Sequence, residues 1–86
     1  MIMTKKAIKI DLPGGLEARS TAELVQLAVK YDSRIYIESG TKMVNAKSIM
    51  GMMSLELERG AEINVYADGD DETQAIEEMD QFLLGA

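Results

Sequence analysis

Period-two alternation of apolar and polar residues marks most of the strand-like stretches of this chain, and helical spacing marks the segments between them. An alternating strand has one face to bury and one to leave wet, so the pattern calls for an antiparallel sheet covered on one side by helices. Ile8, Ile10 and Leu12 alternate with Lys9 and Asp11 in a first strand. Ile35 and Ile37 alternate with Arg34, Tyr36 and Glu38 in a second, and Ser39-Gly40 turns it into a third, Lys42-Met43-Val44-Asn45. In a fourth, Ile63, Val65 and Ala67 alternate with Glu62, Asn64 and Tyr66.

The sharpest break is Pro13-Gly14-Gly15. Beyond it Ala22, Val25 and Val29 recur at helical spacing, with Leu24 and Ala28 widening the stripe, and the helix ends near Lys30. Two starts fit it. Ser20 and Glu23 form a capping-box pattern, and Glu17 would place a carboxylate at the helix N-terminus. Tyr31-Asp32-Ser33 reads as a turn. Ser48 is placed to cap a short helix over Ile49-Met50-Gly51-Met52-Met53, weakened by Gly51, running toward Leu57 and stopped by Arg59-Gly60. Asp70 or Asp71 caps the last helix, whose buried stripe is Ala75, Ile76, Met79, Phe82 and Leu83, with Gly85 as its stop.

The element order is therefore β-α-β-β-α-β-α. A right-handed first crossover leaves room for the fourth strand between the first two. An α+β, open-faced β-sandwich follows: a four-stranded antiparallel sheet of order 1-4-2-3 with three helices on one face, in a single domain over 1–86. The chain of 86 residues holds no cysteine, so a small core must stand without disulfides or a thiolate metal site. It also holds no histidine, which removes the commonest general base and metal ligand at neutral pH. Its net charge of −6 argues against direct nucleic-acid binding. No apolar run is long enough to span a membrane, and Met1-Ile2-Met3-Thr4-Lys5-Lys6 has no apolar signal core, so a cytoplasmic protein is expected.

Two motifs bear on function. Gly14-Gly15-Leu16-Glu17-Ala18-Arg19-Ser20 is a glycine turn feeding a helix, which is either an anion-holding helix end with Arg19 as donor or an ordinary strand-to-helix connection. In Asn45-Ala46-Lys47-Ser48-Ile49-Met50-Gly51-Met52-Met53-Ser54-Leu55, a serine at a helix start suits phosphorylation. The methionines there are either core or an exposed partner surface, and a helix this short cannot bury them all. Asp68, Asp70, Asp71 and Glu72 fit a helix cap and match no cation loop, so no metal or cofactor is expected.

Both motifs, and the element order across nearly the whole chain, resemble the HPr family of the bacterial sugar phosphotransferase system. In that family the glycine turn carries a histidine that accepts phosphate from phosphoenolpyruvate through enzyme I, followed by Ala, Arg and Pro. Here the histidine position is Glu17 and the proline position is Ser20, while Arg19 is kept. The long match around Ser48 is similar to the histidine-lacking, catabolite-repression branch of the family, Crh. That resemblance implies a regulatory protein and not an enzyme. It implies phosphorylation of Ser48 by HPr kinase/phosphorylase, then action as corepressor of a LacI-type catabolite control protein. Arg19, Lys47, Ile49, Met50 and Met53 are the implied partner-binding residues, and Glu17 marks the degenerate phosphocarrier position. The chain is expected to be a monomer or weak homodimer. The other reading is a degenerate phosphocarrier with altered partners or phosphoryl transfer through Glu17.

Overall fold

The computed structural model describes residues 3–85. Met1, Ile2 and Ala86, the ends of the expected domain, lie outside the described residues. The elements are β1 (Thr4–Lys9), α1 (Ala18–Val29), β2 (Arg34–Ser39), β3 (Lys42–Asn45), α2 (Ile49–Met53), β4 (Glu62–Asp68) and α3 (Glu72–Leu83). The sheet order is β1-β4-β2-β3 with every neighbouring pair antiparallel, as expected. Ile35, Ile37, Ile63, Val65 and Ala67 bury one face of the sheet against Leu24 and Ala28 of α1 and Ala75, Ile76, Met79 and Leu83 of α3. Each fully buried aliphatic side chain of this size contributes about 1.5–3 kcal/mol.

Several local expectations are corrected. β1 begins at Thr4, not Ile8, and its ladder with β4 runs from Thr4↔Ala67 to Lys9↔Glu62. Thr4 and Lys6 occupy inward positions of the period, and their polar ends are satisfied by α3. The Thr4 hydroxyl donates to Glu72, and Lys6 Nζ lies 2.7 Å from Asp80 Oδ2. Leu12 falls beyond the ladder and is only half-buried.

In α1 the sheet-facing residues are Thr21, Leu24 and Ala28, while Ala22 and Val25 are half-buried and Val29 is 54% exposed. Thr21 holds a core position that polarity hides from a hydrophobic count. Glu17, not Ser20, occupies the N-cap position of α1. α2 stops at Met53 and does not continue to Leu57. The Ser54 hydroxyl donates to the Gly51 carbonyl at 2.6 Å, and Glu56 turns the chain with φ +49°. Phe82, expected in the buried stripe of α3, sits half-buried at the edge of the core.

Asp71 holds the N-cap position of α3, yet its carboxylate caps nothing there. It reaches across to the α1–β2 turn and accepts the Asp32 N–H at 2.8 Å, the Ser33 N–H at 2.9 Å and the Ser33 hydroxyl. Ser33 is fully buried, so its two bonds to Asp71 satisfy donors held away from water. The Ser33 hydroxyl, then the Asp32 N–H, hold the Asp71 carboxyl below the usual carboxylate range. The Thr4 hydroxyl does the same for Glu72, and Tyr66 and Asn64 do so for Glu38 on the open sheet face.

Because these pKa values are lower in the folded state, an unfolded chain takes up protons at higher pH than the folded one. The stability these bonds supply is complete above about pH 5 and drains away as pH falls through the carboxylate range. Asp71→Asn is expected to lower the denaturation midpoint at pH 7, with its gap from the wild-type protein narrowing at about pH 3. Urea titrations at the two pH values check this, and an undiminished gap in acid would contradict it.

Candidate functional site

β3 ends at Asn45, and a tight turn follows. The Asn45 side chain accepts the Lys47 N–H at 2.8 Å, and its carbonyl accepts the Ser48 N–H at 3.0 Å. This is an Asx turn, in which a side chain imitates the backbone and fixes the following residues. Ser48 leaves it extended (φ −104°, ψ 113°), and its exposed Oγ accepts the Gly51 N–H at 3.2 Å. The expected cap is thus present. A Cβ on Gly51 would lie 3.4 Å from both Ser48 Oγ and Val44 Cβ, at the edge of ordinary van der Waals contact, so α2 lies close against its cap and against β3.

α2 is five residues long and presents its side chains on both sides. Met52 turns inward with 2% exposure, while Ile49, Met50 and Met53 remain 39%, 81% and 50% exposed. These three surround the start of the helix with an apolar patch at Ser48.

The glycine turn approaches the same side. α1 and α2 pack together, and Leu16, Ala18 and Thr21 share a groove of about 390 Å³ with Met53, Glu56 and Leu57. Glu17 is exposed and makes no side-chain cap bond to α1. Its Oε1 instead folds back over Gly14, 3.0 Å from where a Cβ on that residue would stand. Arg19 is almost wholly exposed and faces Glu23 one turn on, at 3.3 Å. Such a pair is worth a few tenths of a kcal/mol and yields readily to a better partner. The turn therefore carries an exposed carboxylate and, beside it, an arginine paired only with Glu23.

Lys47, one of the implied partner-binding residues, is half-buried and makes a bond within the fold. Its Nζ donates to the Tyr31 carbonyl at 2.6 Å, just past the end of α1. Tyr31 is itself buried, and burial together with a hydrogen bond to Glu78 pushes its hydroxyl up to about 12. Sequence reasoning missed this anchor, because a side chain reaching a distant carbonyl leaves no periodic trace. Among the described residues no group of acidic side chains is arranged to hold a metal ion, and no helix is long and apolar enough to cross a membrane.

The chain matches the family described as the PTS HPr component phosphorylation site over residues 4–84. It is 43% identical over 81 residues to the HPr-like protein Crh of Halalkalibacterium halodurans, covering 94% of this chain and 96% of that protein. Among solved structures it is similar to the phosphocarrier protein HPr of Bacillus anthracis. There the TM-score is 0.92 and the identity 40%, over 94% of this chain and 96% of that one. It is also similar to Bacillus subtilis Crh, described as a domain-swapped dimer. That match has a TM-score of 0.77 and 40% identity, over 91% of this chain and 90% of that one. The fold agrees with these likenesses, and the role is an HPr-like regulatory one. The chain belongs to the HPr family, whose members are phosphocarrier or regulatory proteins and not enzymes, on the side of its HPr-like Crh proteins.

Proposed function

We propose that this chain is a phosphorylation-switched regulator of carbon catabolite repression in the cytoplasm. HPr kinase/phosphorylase transfers the terminal phosphoryl group of ATP to Ser48 Oγ, releasing ADP. The phosphorylated protein then acts as corepressor of a LacI-type catabolite control protein. The observation that carries this reading is an exposed serine at a helix start, ringed by exposed Ile49, Met50 and Met53, in a chain without histidine.

The chemistry follows from that arrangement. A phosphate adds nearly two negative charges and strong acceptor oxygens to Ser48. Its oxygens can keep the cap to the Gly51 N–H, so the fold changes little. A cationic group on the repressor meets the phosphate while an apolar pocket takes the methionines. Arg19, held only by Glu23, is free to turn to an acidic group on the same partner. DNA contact is left to the repressor, in keeping with the net charge of −6. The protein acts as a monomer or weak homodimer; the swapped dimer described for Bacillus subtilis Crh supports the second form.

Parallel incubations test the proposal. With the kinase and ATP, mass spectrometry is expected to place phosphate on Ser48 and not on Ser39 or Ser54, and Ser48→Ala is expected to take up none. With enzyme I and phosphoenolpyruvate no stable label is expected, since a glutamyl phosphate is an acyl phosphate that hydrolyses. Label at another serine, or stable label abolished by Glu17→Gln, would refute the reading. Glu17→His is expected to gain partial acceptor activity from enzyme I, limited by Ser20 in place of proline.

A further inference from the structure

The turn that carries Ser48 is fastened from an unexpected side. α1 has no basic residue in its last turn, and Lys30 at its C-cap is exposed, so the carbonyls at that end leave room for a second cation at the negative end of the dipole. Lys47 supplies one from 16 residues away, with Nζ 2.6 Å from the Tyr31 carbonyl. The anchor is firm, because the Tyr31 side chain is buried in the core. The backbone on either side is equally occupied. Ala46 is fully buried and donates to the Ile35 carbonyl at 2.8 Å, and Lys47 and Ser48 donate to Asn45.

Of the other cations, Lys42 Nζ donates to the Ser54 carbonyl at 3.4 Å, while Arg19 is held only by its exposed pair with Glu23 at 3.3 Å. The cation next to Ser48 in sequence is thus committed to the fold through a charge-assisted bond, while the serine hydroxyl is exposed.

We propose that Lys47 is a positioning residue: it ties the Ser48 turn to the end of α1 and withholds its charge from a phosphate on Ser48, leaving that phosphate for the cations of a partner. This rests on the reading of Ser48 as the modified residue, and it extends that reading by assigning the neutralising charge to the partner.

The test uses the whole chain and installs phosphoserine at position 48 by chemical synthesis and ligation, so it does not depend on any kinase. Lys47→Met keeps the aliphatic stem and removes the donor; Lys47→Gln is the second variant should the first not fold. In the unmodified protein, amide exchange at Ala46 and Ser48 is expected to quicken about tenfold in the variant. A change below about threefold would mean that Lys47 does not position the turn. In the phosphorylated protein, phosphorus NMR follows the second phosphate ionisation, ordinarily near pH 6. Its midpoint is expected to agree between wild type and variant within about 0.3 pH units. A larger rise in the variant would show that Lys47 pairs with the phosphate, and the proposal would fall. A kinase that ignores Ser48 would count against the proposed function while leaving this result intact.

Discussion

Met50→Ala is expected to leave stability within about 1 kcal/mol of the wild-type protein while weakening the Ser48-phosphorylated form's hold on its repressor by about 2 kcal/mol, near 30-fold. The two effects separate because of where the side chain stands. Met50 is 81% exposed, so truncating it removes almost no contact within the fold. The same exposure makes it the most exposed member of the patch at Ser48, and under the proposed function its flexible thioether is the side chain to fill an apolar pocket on the partner. Met79 is the contrast, fully buried under α3. Met79→Ala leaves a cavity and is expected to cost about 2–5 kcal/mol of folding free energy with binding per folded molecule unchanged. Thermal melts and binding titrations on both variants decide the matter. A Met50→Ala protein that melts like Met79→Ala and binds normally once folded would make the patch core and not surface.

That patch was legible in the sequence because it follows from length. A five-residue helix with four large apolar side chains cannot turn them all toward one sheet. The sheet was legible for a related reason: in β2 and β4 every inward position is aliphatic or alanine, apart from the last residue of β2, so period two stands out. The pattern failed where inward positions are polar. Thr4 and Lys6 hid the start of β1 because they answer to carboxylates of α3, and Thr21 displaced the apparent stripe of α1 by one position. Phe82 looked like core because it is large and apolar, yet it packs half-buried at the core's edge while Leu83 beside it takes the buried position.

At the site, Ser48 and its cap could be read from local residues. The Lys47–Tyr31 anchor could not, nor could the use of Asp71 to hold Ser33 and Asp32 instead of capping α3. Both are contacts between side chains and distant groups of another connection. They depend on how the helices lie on the sheet, which no local period records.

Gly15→Ala is expected to be the most damaging single-atom-scale change in the glycine turn, costing roughly 3–5 kcal/mol, the sum of backbone strain and displacement. Gly15 is buried with φ +72°, a conformation that costs an L residue about 1–2 kcal/mol by itself. A Cβ there would also lie 2.6 Å from the Leu57 carbonyl oxygen, 2.7 Å from Glu58 Cα and 2.8 Å from the Arg59 nitrogen. All three are backbone atoms and none can rotate aside. The 57–59 segment would have to retreat, straining the bond from the Leu16 N–H to the Leu57 carbonyl at 2.9 Å. That bond joins the turn before α1 to the chain leaving α2, and so sets the groove between Leu16 and Met53. Gly60→Ala supplies the control: its φ of +92° carries similar strain, but nothing lies within 4 Å of the added carbon. It is expected to cost about 1–2 kcal/mol. Urea denaturation of the two variants separates backbone strain from collision, and equal losses would show that the contact with residues 57–59 is not what requires a glycine at position 15.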